Sequence, residues 1–349
     1  MASPALRLAK QGLPEWSLSV LARTHTRDYF LTLPYVDEVV EFVEDRHLDR
    51  KRPWKIFNGW NDSLRLFKQL STGGYSAVIQ WRGQLPDTLM SACTGARHRI
   101  AAVQSIHRKS ALPVEKVRFL VTDLAPVLHP GAHLVEAMAA PVILLLEKLG
   151  RHLPNPDLSL DYPLRSSDHE AAAAFLRAER LPDDTPLACV GISAKTAVNA
   201  WPVERFAAVA DYLQQEHGLR VVLTGTPNHL ERENEIVSRM STKPIRSIGR
   251  LPFPALCAVL ARSRLLVSLN TGLSHIAAAL RVPVVVLNGR DGSSITPWGT
   301  SHRVVTRNPF YPRRHPDSRR WASLVPLITI EDVCAGVDDL LKEVYACSV

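Results

Sequence analysis

The sequence predicts an α/β fold in two domains, each with a parallel sheet. Three observations carry this. Short apolar runs at 187–192, 220–223, 265–269 and 282–287 alternate with segments of helical spacing. The connections between them are short and marked by Gly, Pro or small polar residues. The 349 residues leave room for two ordinary cores. Strands alternating with helices in this way argue for parallel sheets covered on both faces.

Taken in order, the N-terminal half reads as helix 4–11, strand 17–22, strand 36–43, helix 63–70, strand 77–80, strand 99–103 and helix 134–149. Residues 154–168 are rich in Pro, Asp and Ser and read as a hinge. That sets the domains at 1–160 and 161–330. The C-terminal half is clearer. Residues 202–216 form a helix, with Phe206, Val209, Ala210 and Leu213 on one face, Pro202 in its first turn and Gly218 as its stop. Helices follow at 229–240, 255–262 and 274–280. A last helix spans 331–344, with Thr329 before it and acidic residues in its first turn. The final segment, 331–349, is expected to cross back to the first domain.

Composition bounds the function. Apolar content of 46% and charged content of 22% are globular values. The N-terminus has no long apolar stretch, and charges break every apolar window, so a secretory signal or membrane span is not expected. The five cysteines are odd in number and lack metal-pair spacing, which reads as buried free thiols in a reducing compartment. A cytoplasmic protein is expected. The net charge of +8 fits plain solubility or attraction to an anionic partner. The sharpest cluster is Arg313, Arg314 and His315 with Arg319 and Arg320. It matches no nucleic-acid motif and reads as an acceptor-phosphate or membrane-surface contact.

There is no G-x-G-x-x-G after a strand and no Walker A sequence, which argues against nicotinamide dehydrogenases and P-loop enzymes. No H-E-x-x-H or paired Cys/His set suggests a metal. The candidate site lies at two strand-to-helix turns. Ser193, Ala194, Lys195 and Thr196 follow one strand; Asn270, Thr271, Gly272, Leu273, Ser274 and His275 follow another. Ligands in parallel sheets bind at the carboxyl ends of strands. Together the turns offer backbone donors, hydroxyls and one ammonium, which suits a pyrophosphate whose charge grows as it leaves. Either turn alone is an ordinary βα loop. His275 reads equally as a loop-pinning residue or a phosphate or sugar contact. Glu231 and Glu233 follow a third turn, Thr224-Gly225-Thr226-Pro227; they read as ribose ligands or as solvated helix carboxylates. His133 with Glu136 reads as a cap or as a catalytic pair.

Several blocks resemble glycosyltransferase family 9, the bacterial ADP-heptose:lipopolysaccharide heptosyltransferases. Gly191-Ile192-Ser193 with Trp201-Pro202-Val203-Glu204-Arg205-Phe206 resembles the family's G-x-S…K-x-W-P-x-x-R-F. Val222-Leu223-Thr224-Gly225-Thr226-Pro227 resembles V-L-x-G-x-P, and Asn270 to Ala279 resembles D-[ST]-G-x-x-H-x-A-A-A. Ile248-Gly249-Arg250-Leu251, Thr296-Pro297-Trp298-Gly299 and His133-Leu134-Val135-Glu136 add looser matches. The resemblance runs in order over most of residues 130 to 345.

The resemblance implies a GT-B architecture of two Rossmann-like domains facing a cleft. Residues 161–330 would bind the nucleotide sugar and 1–160 the lipopolysaccharide core acceptor. Transfer would invert the anomeric centre and need no metal or other cofactor. Ser193, Lys195, Asn270, Thr271, Gly272, Leu273 and His275 would hold the donor phosphates, Glu231 the ribose, and Arg313 and Arg314 the acceptor. Peripheral contact with the inner membrane and no nucleic-acid partner are expected.

Departures from the family pattern set up a second reading. Asn270 stands where the family has Asp, and Asn199 where it has Lys. The family opens with a strand and a G-D-x-x-x-x-x-P-A-L loop, whose Asp is the proposed acceptor base. This sequence opens Met1-Ala2-Ser3-Pro4-Ala5-Leu6. The first strand of the N-terminal domain and the catalytic Asp are therefore expected to be missing, through a downstream start codon or natural degeneracy. The first account is preferred, because losing a central strand exposes apolar neighbours and unpaired backbone. The catalytic residue is left unassigned. A non-catalytic GT-B module that binds nucleotide sugar or glycan is the alternative function; a nucleotide-sugar epimerase is the third.

Overall fold

A computed structural model describes residues 1–42, 60–81, 85–102, 118–126, 128–129, 131–194, 199–289, 293–307 and 324–346. The chain divides into two compact units, Met1–Leu158 and Ser159–Val349.

The first unit runs α1 (Ser3–Gly12), β1 (Ser19–Arg23), α2 (Thr24–Thr32), β2 (Glu38–Phe42), α3 (Trp60–Thr72), β3 (Ala77–Gln80), α4 (Leu85–Cys93), β4 (His98–Ala101), β5 (Asp123–Leu124) and α5 (Leu134–Lys148). Pro4 opens α1, where its missing N–H costs nothing, and Ala5, Leu6 and Leu8 are buried. In β2, Val40 is buried while Glu38 and Glu41 are exposed, the alternation of a half-covered strand. His133 and Glu136 cap α5: the His133 ring Nδ1 accepts from the Val135 N–H at 3.2 Å, and Glu136 accepts from the His133 N–H at 2.6 Å. Of the two readings offered for this pair, the structure gives the cap.

Among the described residues, these strands form two sheets rather than one. β1 pairs in parallel with β2, and β3, β4 and β5 form a separate parallel sheet. α1 runs antiparallel to β1. Lys10, in its last turn, donates to the Trp16 carbonyl and to the Asp37 carboxylate, which also accepts from the Leu18 N–H. The carboxyl end of α1 therefore lies at the amino ends of β1 and β2, and its start at their carboxyl ends.

The second unit runs α6 (Ser166–Ala178), β6 (Leu187–Gly191), α7 (Val203–Gln215), β7 (Arg220–Thr224), α8 (Leu230–Val237), β8 (Ile245–Arg246), α9 (Phe253–Ala261), β9 (Ser263–Leu269), α10 (Gly272–Ala279), β10 (Val284–Leu287), β11 (His302–Val305) and α11 (Ile330–Ala346). One six-stranded parallel sheet is ordered β11-β10-β9-β6-β7-β8. Every residue of β6 is buried, and all of β9 but Arg264, as a sheet covered on both faces requires. One face packs Val190, Leu223 and Val267 against Phe206 and Leu213 of α7 and Val333, Val337 and Leu340 of α11. The other packs Cys189, Val222 and Leu266 with Phe175 of α6 and Ala258 of α9. Gly218 takes a φ of 62°, so the chain reverses after α7, and the Leu219 N–H reaches back to the Leu213 carbonyl.

Some expectations change. The stretch read as a hinge to residue 168 gives way to α6 at Ser166, because the Asp168 carboxylate accepts the Arg165 N–H and caps the helix. α11, expected to cross back, has its apolar face in the core of the second unit. Cys189 and Cys257 are buried and free; burial pushes both thiols up to about 12. No helix among the described residues is long and apolar enough to cross a membrane.

Candidate functional site

Three neighbouring strands, β9, β6 and β7, end together. Gly191, the last residue of β6, is in register with Thr224 of β7 on one side and Ser268 of β9 on the other. The turns that follow are therefore side by side on the carboxyl edge of the sheet. The Ile192 N–H still bonds the Thr224 carbonyl at 2.9 Å, and the Asn270 N–H bonds the Leu287 carbonyl at 3.2 Å, which fixes the start of each turn.

Two glycines permit this closeness. A Cβ on Gly191 would lie 2.9 Å from the Ser268 Cβ and 3.2 Å from Leu273 Cδ2. The missing side chain lets the first turn of α10 settle over β6. A Cβ on Gly225 would lie 3.3 Å from Ser193 Oγ, so Ser193 sits against the turn after β7.

Asn270, Thr271, Gly272, Leu273 and His275 occupy the β9–α10 connection and the first turn of α10. Thr271 is the N-cap, and its hydroxyl makes no capping bond. Gly272 is exposed, and a Cβ there would meet nothing within 4 Å. Its glycine identity is thus not demanded by packing. A helix start of this kind presents backbone donors and the positive end of the dipole, which suits an anion. Ser274 behaves differently from the sequence reading, which counted its hydroxyl toward a ligand. It is buried, and its hydroxyl donates to the Thr271 carbonyl at 2.7 Å, closing the turn. His275 is partly exposed. Lys195, Arg313 and Arg314 lie outside the described residues.

The two carboxylates of α8 part company. Glu231 is exposed. Glu233, only 1% exposed, accepts from Arg246 Nε at 3.0 Å and Nη2 at 2.9 Å. It is therefore an ion-paired structural residue, against its reading as a ribose ligand or a solvated carboxylate; a charge at that depth needs its partner. Sequence reasoning missed Thr224, whose buried Oγ1 has no hydrogen-bond partner among the described residues. Its position in the Val222–Pro227 turn was the available signal.

The Trp201–Phe206 block does structural work. Trp201 is fully buried and donates from Nε1 to the Ile328 carbonyl at 2.9 Å; Arg205 reaches the Pro326 and Ile328 carbonyls at 2.7 and 2.5 Å. The Phe206 ring meets Trp201 edge-on at 5.0 Å. This block ties the start of α7 to the segment leading into α11. Among the described residues, no three His, Cys, Asp or Glu side chains are grouped to hold a metal.

An open parallel sheet with three polar turns at adjacent carboxyl ends is the arrangement in which α/β proteins of the Rossmann-like class place their ligands. Comparison with known proteins makes this specific. The family model for glycosyltransferase family 9 (heptosyltransferase) matches residues 63–319, and the chain belongs to that family of enzymes. It is 28% identical to lipopolysaccharide heptosyltransferase 3 of Escherichia coli K12, over 98% of this chain and 94% of that one. Its fold matches a family 9 glycosyltransferase from Veillonella parvula (TM-score 0.75, 21% identity, 98% and 93% coverage). It also matches an E. coli heptosyltransferase solved with ADP (TM-score 0.66, 19% identity, 97% and 94% coverage). The fold is GT-B, and the chain is a glycosyltransferase.

Proposed function

We propose that the chain transfers a heptose from ADP-heptose to a lipopolysaccharide core sugar, with inversion at the anomeric carbon and without a metal or other cofactor. The observation that carries this reading is the register of Gly191 with both Thr224 and Ser268, which makes the turns after β6, β7 and β9 neighbours. The relatives' names supply the donor and acceptor classes.

In this reading the N–H groups of Gly272 and Leu273, the Thr271 and Ser193 hydroxyls, Asn270 and His275 hold the diphosphate. Lys195 brings a positive charge to it. As the glycosidic bond breaks, negative charge builds on the leaving phosphate, and fixed donors stabilise it without reorganising. Glu231 accepts from the ribose hydroxyls. Arg313 and Arg314 meet acceptor phosphates, and that basic segment supports peripheral contact with the cytoplasmic face of the inner membrane, without any nucleic-acid partner. No residue is assigned as the acceptor base.

Calorimetry with ADP, UDP and GDP tests the donor class. ADP binding tightest supports the reading, and a preference for UDP or GDP overturns it. Transfer of labelled heptose from ADP-heptose to a core oligosaccharide, unaffected by a chelator and with an inverted product, tests the rest.

A further inference from the structure

Arg232 lies in the first turn of α8 and is partly buried. Its Nη2 donates to the Trp201 carbonyl, its one hydrogen bond among the described residues. The guanidinium carbon sits over the Phe206 ring, 5.4 Å from its centre. Nε is buried and has no partner among the described residues. Burial holds the guanidinium's pKa below its ordinary value, against a weaker opposing pull from Glu235.

Among the described residues, no carboxylate forms an ion pair with this group. Glu204 and Glu231, in the first turns of α7 and α8, are exposed, as is Glu235 one turn further along α8. The buried Glu233 is taken by Arg246. The Phe206 ring offsets only part of the cost of a desolvated cation.

The surroundings sharpen the want of a counter-charge. α7 follows β6 and α8 follows β7, and those strands are parallel register partners, so both helices start at the same edge of the sheet. Each start presents the positive end of a helix dipole. Arg232 bridges the two, from the first turn of α8 to the residue before Pro202, the N-cap of α7. It therefore adds a third positive element to a place that already has two.

The same contacts tie Arg232 to the turns of the candidate site. The connection from β6 to α7 begins beside Ser193, which sits against Gly225 in the turn after β7. It ends at Trp201, whose carbonyl meets Arg232 just past that same turn. The pair of turns after Gly191 and Thr224 is thus fastened by a hydroxyl at one end and a guanidinium at the other. An anionic ligand supplies the charge this corner lacks.

On the donor-binding reading given above, we propose that Arg232 is a further donor-binding residue: its guanidinium donates to a phosphate oxygen of the nucleotide sugar while Nη2 keeps the Trp201 carbonyl. A guanidinium has donors only, and its planar fork suits phosphate. Arg232 therefore recognises the diphosphate and contributes nothing to binding of the base.

The test separates charge from packing. Arg232→Met removes the charge and keeps an apolar stem over Phe206; Arg232→Lys keeps the charge. Affinity for ADP is measured by calorimetry, and for adenosine by displacement of a fluorescent ADP. The quantity read is the ratio of the two affinities, in which a loss common to both ligands cancels. Arg232→Met is expected to lower that ratio by about tenfold or more, as loss of a hydrogen bond between charged groups does. The salt dependence of ADP binding should flatten with it, and Arg232→Lys should recover most of the loss. An unchanged ratio in Arg232→Met overturns the assignment. That covers a variant in which both ligands weaken together, the mark of a purely structural tie to Trp201. A ratio as low in Arg232→Lys as in Arg232→Met overturns it as well. Thermal melts establish folding; if Arg232→Met does not fold, Arg232→Gln is read in the same way. Failure of the ADP reading looks different. There the unsubstituted chain prefers UDP or GDP, and the ratio taken with that nucleotide and its nucleoside still judges Arg232. An unsubstituted chain that binds no nucleoside diphosphate removes the donor site, and this role with it.

Discussion

Gly191 and Ser268 are register partners on adjacent parallel strands, and a Cβ on Gly191 would approach the Ser268 Cβ to 2.9 Å. Leu273 closes over the same spot, 3.2 Å from that Cβ position. The tight fit under α10 makes Gly191→Ala a probe of the turn. Overpacking of this kind costs about 1–3 kcal/mol. The variant is expected to lower the denaturation midpoint and also weaken ADP affinity, because relief moves Leu273 and the donors beside it. A fall in stability with unchanged affinity would separate the turn from the donor site.

Gly272→Val makes the opposite experiment. A Cβ there meets nothing within 4 Å and the position is exposed, so stability should stay within about 0.5 kcal/mol of the parent. Nucleotide binding should be lost, since a branched side chain then covers the helix start. Thermal melts and titration calorimetry on one preparation read both. Undiminished ADP affinity refutes the phosphate assignment.

Trp201 is expected to matter for stability alone. Trp201→Phe removes the Nε1 bond to the Ile328 carbonyl, a loss of about 1–3 kcal/mol for a buried pair. Chemical denaturation should report that loss while the dissociation constant for ADP holds. A selective loss of ADP affinity would place the Trp-Pro block in the donor site instead.

Asp211 gives a pH prediction. Burial raises its carboxyl pKa, but the Ser241 N–H and the Thr242 hydroxyl and N–H outweigh that, and the net shift is downward from the ordinary 3.8. A folded-state pKa below the unfolded one contributes stability above the unfolded value and loses it as pH falls through the folded one. Stability should therefore drop below about pH 4. Asp211→Asn is expected to be less stable at pH 7 and to show a shallower fall in acid. Equal acid slopes in urea melts would remove Asp211 from the account.

Arg313→Glu with Arg314→Glu should weaken acceptor binding and leave ADP binding as it is. Surface plasmon resonance with a phosphorylated core oligosaccharide measures the first, and calorimetry the second. No change in either would make that segment a merely solvated one.

The second unit was largely legible because a parallel sheet writes itself as continuous apolar runs. Leu265 to Leu269 and Leu187 to Ile192 are such runs, and both are central strands. The turns were legible too, since a strand end followed by small polar residues has few other meanings. α2 was not, because Thr24–Thr32 carries no apolar stripe; it is held by packing on β1 and β2. β8 and β11 are short edge strands with little of their own to reveal them. Glu231 and Glu233 lie two residues apart and so on different sides of a helix. Which one turned inward depended on Arg246, a residue of β8. The division of the first unit into two sheets rests on long-range pairing, which local pattern does not encode.

The placement of α11 sets the timing of assembly on the ribosome. Val333, Val337, Leu340 and Leu341 fill the centre of the second unit, yet they are translated well over a hundred residues after β6. Until they emerge, the part of that face that α11 covers, over β10 and β11 beside α7, stays wet and adhesive. At roughly 5–20 residues per second that exposure lasts seconds, long enough for a nascent-chain chaperone to be this half's first companion.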